Sequence, residues 1–240
     1  MNPKINAYSR QWFDFFHIDI DESRTGREIA FICACAPLPD FRNVADICCG
    51  MGRLARALSN TGYAVTGVDR HPDAVANARK LGGGPIYVEA DVRDYRPESG
   101  AFDLVIIMGQ SFGYFDVVTN RAVLGQLAAG LRQGGRVIVD LWNPNFFRTR
   151  QGKRYLKTTA GEVMENKQVR GNRLLVELQY PDGGRDQFEW QLFSPNEMMR
   201  LAESLDLTML ASCSDYDCAS IVSGGKPRTQ FLLERGGRLQ

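Results

Sequence analysis

Residues 44–54 constrain the fold of this chain more than any other stretch. Their sequence, VADICCGMGRL, is an apolar run followed by cysteines and glycines and then by a helix-compatible segment. This order predicts a buried strand, a glycine turn and a helix start, which point backbone N–H groups and the positive helix end at a ligand. Asp69 follows Asp46 at the end of the next apolar run, residues 64–68. Together these features predict a nucleoside-binding site.

The glycine turn also matches the dinucleotide fingerprint G-x-G-x-x-A, over residues 50–55. Taken alone this match is weak, because the same glycines suit a tight turn that binds nothing. The context favours a ligand, since a carboxylate at Asp69 can accept hydrogen bonds from both ribose hydroxyls.

Composition sets the broad class of the protein. The chain has 240 residues, of which 44% are hydrophobic and 24% charged, as in an ordinary globular domain. Its 29 basic and 28 acidic residues give a net charge of +1, so no basic nucleic-acid surface is expected. No apolar run approaches the ~20 residues that a membrane span needs. Residues 1–10 lack the apolar core of a signal peptide.

The six cysteines form neither a Cys-x-x-Cys pair nor a Cys/His cluster with zinc spacing. We therefore expect no disulfide framework, no metal site and a reducing, cytoplasmic setting.

Apolar runs alternate with helical segments, which predicts an α/β fold with a parallel sheet. Strands are expected at residues 44–48, 64–68, 86–89, 104–108 and 136–141. Two helical stretches precede the first strand, and another helix is expected at residues 120–131.

The pattern changes after Leu141. Three strands separated by turn residues are expected at 163–169, 174–180 and 187–193, as an antiparallel insertion. A capping box at Ser194 then predicts a helix to about Leu205. Strands at about 207–213 and 230–234 close the chain.

Two further positions lie at carboxyl ends of the predicted parallel strands, where ligands bind in such sheets. Asp91 can accept a hydrogen bond from an adenine amino group, although a helix-capping role is equally open. The loop at residues 109–115 is rich in glycine and aromatic residues. Phe112 and Phe115 suit a core position, whereas the hydroxyl of Tyr114 suits a substrate contact.

In combination, these motifs resemble the class I S-adenosylmethionine-dependent methyltransferases, and specifically the subgroup whose first motif reads Asp-x-Cys-Cys-Gly-x-Gly-Arg. The resemblance spans roughly residues 8–234 and rests on segments in family order: 46–53, 68–69, 89–91, 102–108, 111–115, 131–135, 193–198 and 227–228. It implies a Rossmann-like fold, a mainly parallel seven-stranded sheet with helices on both faces, and a small antiparallel insertion after the fifth strand.

The resemblance also implies one methyltransferase domain over residues 1–240. Its parts are a helical lid at 1–40, a cofactor-binding core at 41–142, the insertion at 155–193 and a C-terminal helix with strands at 194–240. The insertion either caps a small-molecule pocket or pairs two copies of the chain as a homodimer.

The cofactor implied is S-adenosyl-L-methionine, with S-adenosyl-L-homocysteine as product. Residues matching family cofactor positions are Tyr8, Trp12, Arg24, Asp46, Cys48, Gly50, Gly52, Asp69, Arg70, Asp91, Val92 and Met108. Asp69 would bind the ribose, Asp91 with Val92 the adenine, and Arg24 the cofactor carboxylate. Three positions depart from the family pattern: many relatives have glycine at Cys48, threonine or glutamine is commoner at Met51, and histidine is frequent at Leu54.

Methyl transfer from a sulfonium is an in-line displacement, for which the protein mainly aligns the reactants and excludes water. Tyr8, Tyr114 and Asn143 are our candidates for positioning a small-molecule acceptor. His17 and His71 are the only histidines, so a general base is scarce, which favours an amine or an already acidic hydroxyl. The Asn/Asp-Pro-Pro-aromatic motif of nucleic-acid amino methyltransferases does not follow the fourth strand, where residues 108–111 read MGQS.

Two alternatives stay open. A nicotinamide-dependent oxidoreductase uses the same glycine turn, and a non-catalytic cofactor-binding protein would use the insertion as an interaction surface.

Overall fold

The computed structural model describes residues 5–16 and 22–236. Its helices are α1 (Arg10–Phe16), α2 (Glu22–Cys35), α3 (Arg53–Asn60), α4 (Pro72–Leu81), α5 (Val117–Ala129), α6 (Pro144–Arg148) and α7 (Pro195–Glu203). Its strands are β1 (Asn43–Ile47), β2 (Ala64–Asp69), β3 (Ile86–Glu89), β4 (Phe102–Ile107), β5 (Leu131–Trp142), β6 (Gly152–Thr158), β7 (Gly161–Arg170), β8 (Arg173–Gln179), β9 (Arg185–Gln191), β10 (Leu207–Cys213) and β11 (Arg228–Arg235).

The main sheet has seven strands in the order β10-β11-β5-β4-β1-β2-β3. Strands β1 to β5 pair in parallel, and β11 is antiparallel to both β5 and β10. Residues 104–107 of β4 are almost fully buried, as expected for a strand covered by helices on both faces. The predicted Rossmann-like fold class is confirmed.

Strands β6 to β9 form a second, antiparallel sheet. Its inner face carries apolar side chains that pack against residues from the N-terminal segment and from the end of β5. Tyr8 and Trp12 from that segment lie against this core, with Trp142 at the end of β5. The second sheet and the N-terminal segment therefore form one hydrophobic unit beside the main sheet.

Two predicted details were wrong. The insertion has four strands, because β6 was missed, and its sheet spans residues 152–191. Helix α5 ends at Ala129, and Leu131 already begins β5. The predicted capping box is present, since Ser194 and Glu197 accept each other's backbone N–H groups at the start of α7.

Candidate functional site

A cavity of about 590 Å³ opens at the carboxyl ends of β1, β2, β3 and β4. This volume is in the range of small-molecule sites. Five segments form its wall: the N-terminal segment (residues 5–12), the glycine turn (48–51), the end of β2 with the start of α4 (68–74), residues 90–93, and the loop 109–115. The structure thus brings together the strand-end positions that the sequence singled out.

The glycine turn has a left-handed backbone at three positions. Cys48 has φ 57°, Gly50 has φ 55° and Gly52 has φ 73°. Such angles favour glycine, so Cys48 holds a backbone conformation that glycine would adopt at lower cost. A Cβ on Gly50 would meet no atom within 4 Å, whereas one on Gly52 would lie 2.6 Å from Cε1 of Tyr87. Gly50 therefore leaves space at the cavity wall, and Gly52 permits packing.

The carboxylate of Asp69 is held in place by the turn below it. Its Oδ2 accepts a hydrogen bond from the Gly50 N–H at 2.8 Å, and its Oδ1 accepts one from the His71 N–H at 2.8 Å. Each carboxylate oxygen has further acceptor capacity. Asp69 lines the cavity, so a diol in the cavity can donate to an acceptor that is already oriented.

Asp91 also lines the cavity, just beyond the end of β3. Arg93 donates to it from Nε at 3.0 Å and from Nη2 at 2.7 Å. The hydrogen bonds from the Arg93 side chain hold the pKa of the Asp91 carboxyl below its usual value, although burial opposes them. Asp91 is thus an ionised acceptor, and Val92 beside it contributes an apolar contact surface.

Aromatic side chains form the opposite wall. The hydroxyls of Tyr8 and Tyr114 are hydrogen-bonded to each other. Trp12 packs edge-on against Tyr8, with ring centroids 4.6 Å apart, and Trp190 lies 5.8 Å from Tyr114. Burial raises the pKa of Tyr114 to about 12 and that of Tyr8 well above its usual value. Both phenols therefore stay protonated at neutral pH and act as hydrogen-bonding groups.

Several predicted cofactor residues lie outside the cavity wall. Gly52 and Met108 are buried, although Gly109 beside Met108 lines the cavity. Asp46 is buried too, and its Oδ2 has no hydrogen-bond partner in the described part of the chain. Burial raises the pKa of Asp46 to about 7, against the opposing charge of Arg53.

Arg24 belongs to a network behind the glycine turn. Its Nε lies 3.0 Å from Oε1 of the fully buried Glu28, and Nη2 of Arg53 lies 2.6 Å from Oε2 of the same carboxylate. Arg24 therefore pairs within the protein and is not among the residues that line the cavity.

Asn143 is buried and is not part of the cavity wall. Its Nδ2 donates to the carbonyl oxygens of Ser223 and Lys226, at 2.7 and 3.0 Å. Its Oδ1 accepts from the Asn145 N–H at 3.0 Å and caps α6. All these contacts are with the protein itself, so the structure places Asn143 in the packing of α6.

The sequence reasoning missed several residues of the wall. Asn6 and Arg93 line the cavity, but each stands in a loop with no pattern that points to a ligand. Ser111 lines it too, and it stands in the loop 109–115 that the sequence singled out, although it was not itself a candidate. Asp140 shapes the wall from behind: its Oδ2 accepts from the Gly109 N–H at 3.1 Å and pairs with Arg228 at 2.6 Å. Asp140 is an acidic residue inside the apolar sequence of β5, and this pattern could have indicated a buried, paired carboxylate.

His71 lines the cavity beside Asp69, whereas His17 lies outside the described residues. Among the described residues, no group of three or more histidine, cysteine or acidic side chains is arranged to hold a metal ion. No helix in that part of the chain is long and apolar enough to cross a membrane.

Known proteins support this assignment of the fold. Residues 44–135 match the model of a methyltransferase domain family. The chain is 36% identical over 93 residues to a trans-aconitate 2-methyltransferase of Escherichia coli, which covers 38% of this chain and 35% of the relative. It is 28% identical over 172 residues to a ubiquinone biosynthesis O-methyltransferase of Vibrio parahaemolyticus, covering 70% and 64%. The chain thus spans less than two thirds of either curated relative.

Solved structures share the fold over nearly the whole chain. An S-adenosylmethionine-dependent methyltransferase of Clostridium acetobutylicum has a TM-score of 0.76 at 18% identity, with 95% of this chain and 97% of that chain covered. An amino pentose methyltransferase of Micromonospora echinaspora, solved with S-adenosylmethionine bound, has a TM-score of 0.72 at 18% identity, with 97% and 99% covered. The chain therefore has the Rossmann-like fold seen in S-adenosylmethionine-dependent methyltransferases, and its residues 44–135 match the model of a methyltransferase domain.

Proposed function

We propose that this protein is a methyltransferase that uses S-adenosyl-L-methionine to methylate a small molecule. The observation that carries the proposal is the position of Asp69. Its carboxylate lies at the end of β2, is oriented by the Gly50 and His71 N–H groups, and faces a cavity of about 590 Å³. This is the arrangement that a ribose diol requires.

The residues that line the cavity fit three parts of the cofactor: the ribose, the adenine and the methionine chain. Asp69 would accept the ribose hydroxyls, and Asp91 with Val92 would contact the adenine. The open space at Gly50 allows the methionine part to approach the backbone of the turn, beside Cys48. When bound, S-adenosylmethionine supplies a methyl group on a sulfonium. Arg70 lines the cavity next to the ribose position and donates from Nη2 to the carbonyl oxygen of Asn6 at 3.1 Å.

We propose that Tyr8 and Tyr114 position the acceptor, with Trp12 covering the same end of the cavity. The high pKa values of the two phenols argue against either tyrosine as a general base. An amine that attacks as the neutral base needs no such group, which favours N-methylation over O-methylation. The aromatic wall also suits an amine, because the faces of aromatic rings attract positive charge.

The remaining parts of the proposal concern organisation. Residues 1–40 would form the lid, 41–142 the cofactor-binding core, the insertion one wall of the cavity, and 194–240 the last part of the same domain. Pairing of two copies through the insertion, a cytoplasmic location and the absence of a nucleic-acid partner stay predictions.

Thermal-shift titration tests the cofactor. We expect S-adenosylhomocysteine to raise the unfolding midpoint with increasing concentration, because a ligand that binds only the folded state stabilises it. NAD(H) should produce no shift. Stabilisation by NAD(H) without stabilisation by S-adenosylhomocysteine would support the oxidoreductase alternative instead.

Turnover separates an enzyme from a binding protein. Release of S-adenosylhomocysteine is measured with panels of small amines, phenols and carboxylic acids. We expect turnover with a member of the amine panel. Turnover confined to phenols or carboxylic acids would overturn the preference for nitrogen, and tight cofactor binding with no turnover in any panel would favour the non-catalytic alternative.

The variant Asp69→Ala tests the ribose contact. Hydrogen bonds to a charged acceptor contribute about 1.5–3 kcal/mol each, so loss of the carboxylate should weaken cofactor affinity by at least about tenfold. The measurement is calorimetric titration with S-adenosylhomocysteine, after circular dichroism has shown a folded variant. Asp73→Ala, at an exposed position in the first turn of α4, is the matched control. Unchanged affinity in Asp69→Ala would refute the assignment.

A further inference from the structure

Three cysteines from distant parts of the chain meet at the end of α2. Cys35 is the last residue of α2, Cys213 is the last residue of β10, and Cys218 lies in the turn that follows. The Sγ atoms of Cys35 and Cys218 are 3.6 Å apart. Cys35 and Cys213 are buried, whereas Cys218 is exposed. This cluster lies outside the residues that line the cavity.

We infer that Cys218 and Cys35 form a thiol oxidation site, at which a peroxide converts the pair into a disulfide bond. An exposed thiol in contact with a buried one is the arrangement of an attacking and a resolving cysteine. A disulfide needs its sulfur atoms about 2.05 Å apart, so the pair must approach by roughly 1.5 Å. A side-chain rotation of Cys218 on its surface turn can supply that movement.

One molecule of hydrogen peroxide oxidises the two thiols in two steps. The Cys218 thiolate attacks a peroxide oxygen, the O–O bond breaks, and hydroxide leaves, so that Cys218 becomes a sulfenic acid. The Cys35 sulfur then attacks the Cys218 sulfur, the S–O bond breaks, and water leaves with the Cys35 proton. In total two thiols lose two electrons, and hydrogen peroxide is reduced to two waters. Cys218 is the exposed thiol of the pair and Cys35 the buried one, so Cys218 is the sulfur that a peroxide in solution reaches first.

The bond would fasten a strained turn to α2. Asp215 and Tyr216 in this turn both have left-handed backbones, with φ 58° and 59°. The hydroxyl of Tyr216 lies 3.2 Å from Oε1 of Glu28 and 3.2 Å from Oδ2 of Asp140. Glu28 lies two helical turns before Cys35 on the buried face of α2. Oxidation at Cys218 would therefore hold Tyr216 against the network behind the glycine turn.

Peptide mapping tests the inference. The reduced full-length protein is treated with hydrogen peroxide, free thiols are then blocked, and the digest is analysed without reductant. We expect a cross-linked peptide that contains Cys35 and Cys218, and an intact mass lower by two hydrogen atoms. The cross-link should be lost in Cys218→Ser and retained in Cys33→Ser, which alters a cysteine of the same helix outside the cluster.

Since Cys218 is exposed, Cys218→Ser should fold like the wild type, and its circular dichroism spectrum checks this. The oxidised wild type, but not peroxide-treated Cys218→Ser, should unfold at a higher temperature than its reduced form, because the bond restricts the unfolded chain. A cross-link between Cys213 and Cys218 instead would overturn the proposal. So would conversion of Cys218 to a sulfinic acid with no cross-link.

Discussion

The two glycines of the turn after β1 differ in what surrounds them. Gly50 lines the cavity and has open space where a Cβ would stand, whereas Gly52 packs against the ring of Tyr87. Both have left-handed backbones, which cost an alanine about 1–2 kcal/mol. The shared motif therefore combines two requirements, one for a ligand and one for the core.

Alanine substitutions should separate these requirements. We expect Gly52→Ala to lower the free energy of unfolding by about 2–4 kcal/mol, because backbone strain adds to displacement of Tyr87. Gly50→Ala should lower it by only the strain, about 1–2 kcal/mol, but should weaken cofactor affinity through its methyl group in the cavity. Urea unfolding and S-adenosylhomocysteine titration of both variants give the comparison. Equal stability losses in the two variants would contradict this division.

Asp46 makes the stability of the protein depend on pH. Its folded-state pKa is about 7, above the ordinary value of 3.8, because burial disfavours the charged form. Between these values the folded protein holds a proton that the unfolded chain has released. The free energy of unfolding therefore falls as the pH rises from about 4 to 7. Above pH 7 the full cost of ionising the buried carboxyl is present.

The variant Asp46→Asn removes this dependence, since an amide does not ionise. As the pH rises from 5 to 8, we expect the free energy of unfolding of the variant to increase by roughly 2–3 kcal/mol relative to that of the wild type. Urea unfolding at the two pH values measures the change. Asp73→Asn, at an exposed position, is the control, and a constant difference between Asp46→Asn and wild type would rule out the raised pKa.

At the scale of elements, strands with an apolar or alternating sequence could be predicted, and a strand without either pattern could not. The five parallel strands contain short apolar runs, even the exposed edge strand β3, so the sequence located each of them to within a few residues, except for the start of β5. Strand β6 reads GKRYLKT and is largely exposed at the edge of its sheet, so neither alternation nor apolar content marked it. Helix α6 has five residues, too few for a helical period to show.

The candidate site also contains residues that could be predicted from strand ends and one strand-end residue that was misplaced. Asp69, Asp91 and Gly50 follow directly from strand ends, and they line the cavity as expected. Asn143 also stands at a strand end, but its side chain turns to the residue 223–226 loop instead. A polar side chain with several nearby backbone partners forms those bonds first, and one sequence does not reveal which loop will supply them.

Asn143→Ala should therefore be a stability variant. It loses a helix cap and leaves the carbonyl oxygens of Ser223 and Lys226 without this donor, so we expect a loss of about 1–3 kcal/mol. Cofactor affinity should stay unchanged. Thermal unfolding and ligand titration check both, with the exposed Asn145→Ala as control. A drop in turnover with normal stability would restore Asn143 as a substrate-positioning residue.

At the scale of the molecule, the N-terminal segment joins the two sheets. The Asn6 side chain donates from Nδ2 to the carbonyl oxygens of Tyr114 and Glu189, at 3.2 and 3.0 Å. Its Oδ1 accepts from the Glu189 N–H at 2.8 Å, and its own N–H donates to the Gln187 carbonyl oxygen at 2.9 Å. Asn6 is thereby attached to β9 on one side and to the loop after β4 on the other.

Loss of this attachment should speed release of the ligand. Asn6→Ala removes three side-chain hydrogen bonds, which together contribute about 1.5–4.5 kcal/mol. We therefore expect the dissociation rate of S-adenosylhomocysteine to rise by at least about tenfold. Stopped-flow displacement measures this rate. Gln11 lies in the same N-terminal segment and makes an exposed hydrogen bond to Asp182. Gln11→Ala should leave the dissociation rate nearly unchanged. Equal rates in Asn6→Ala and wild type would show that the attachment does not control release.

The hydrogen bonds of Asn6 have a mechanical consequence. One wall of the cavity belongs to the parallel sheet, and the aromatic wall is tied to the antiparallel sheet. A ligand that contacts both Asp69 and Tyr114 would connect the parallel sheet to the antiparallel sheet. Its arrival should therefore slow hydrogen exchange in β9 as well as in β2, although β9 lies outside the methyltransferase domain that residues 44–135 match.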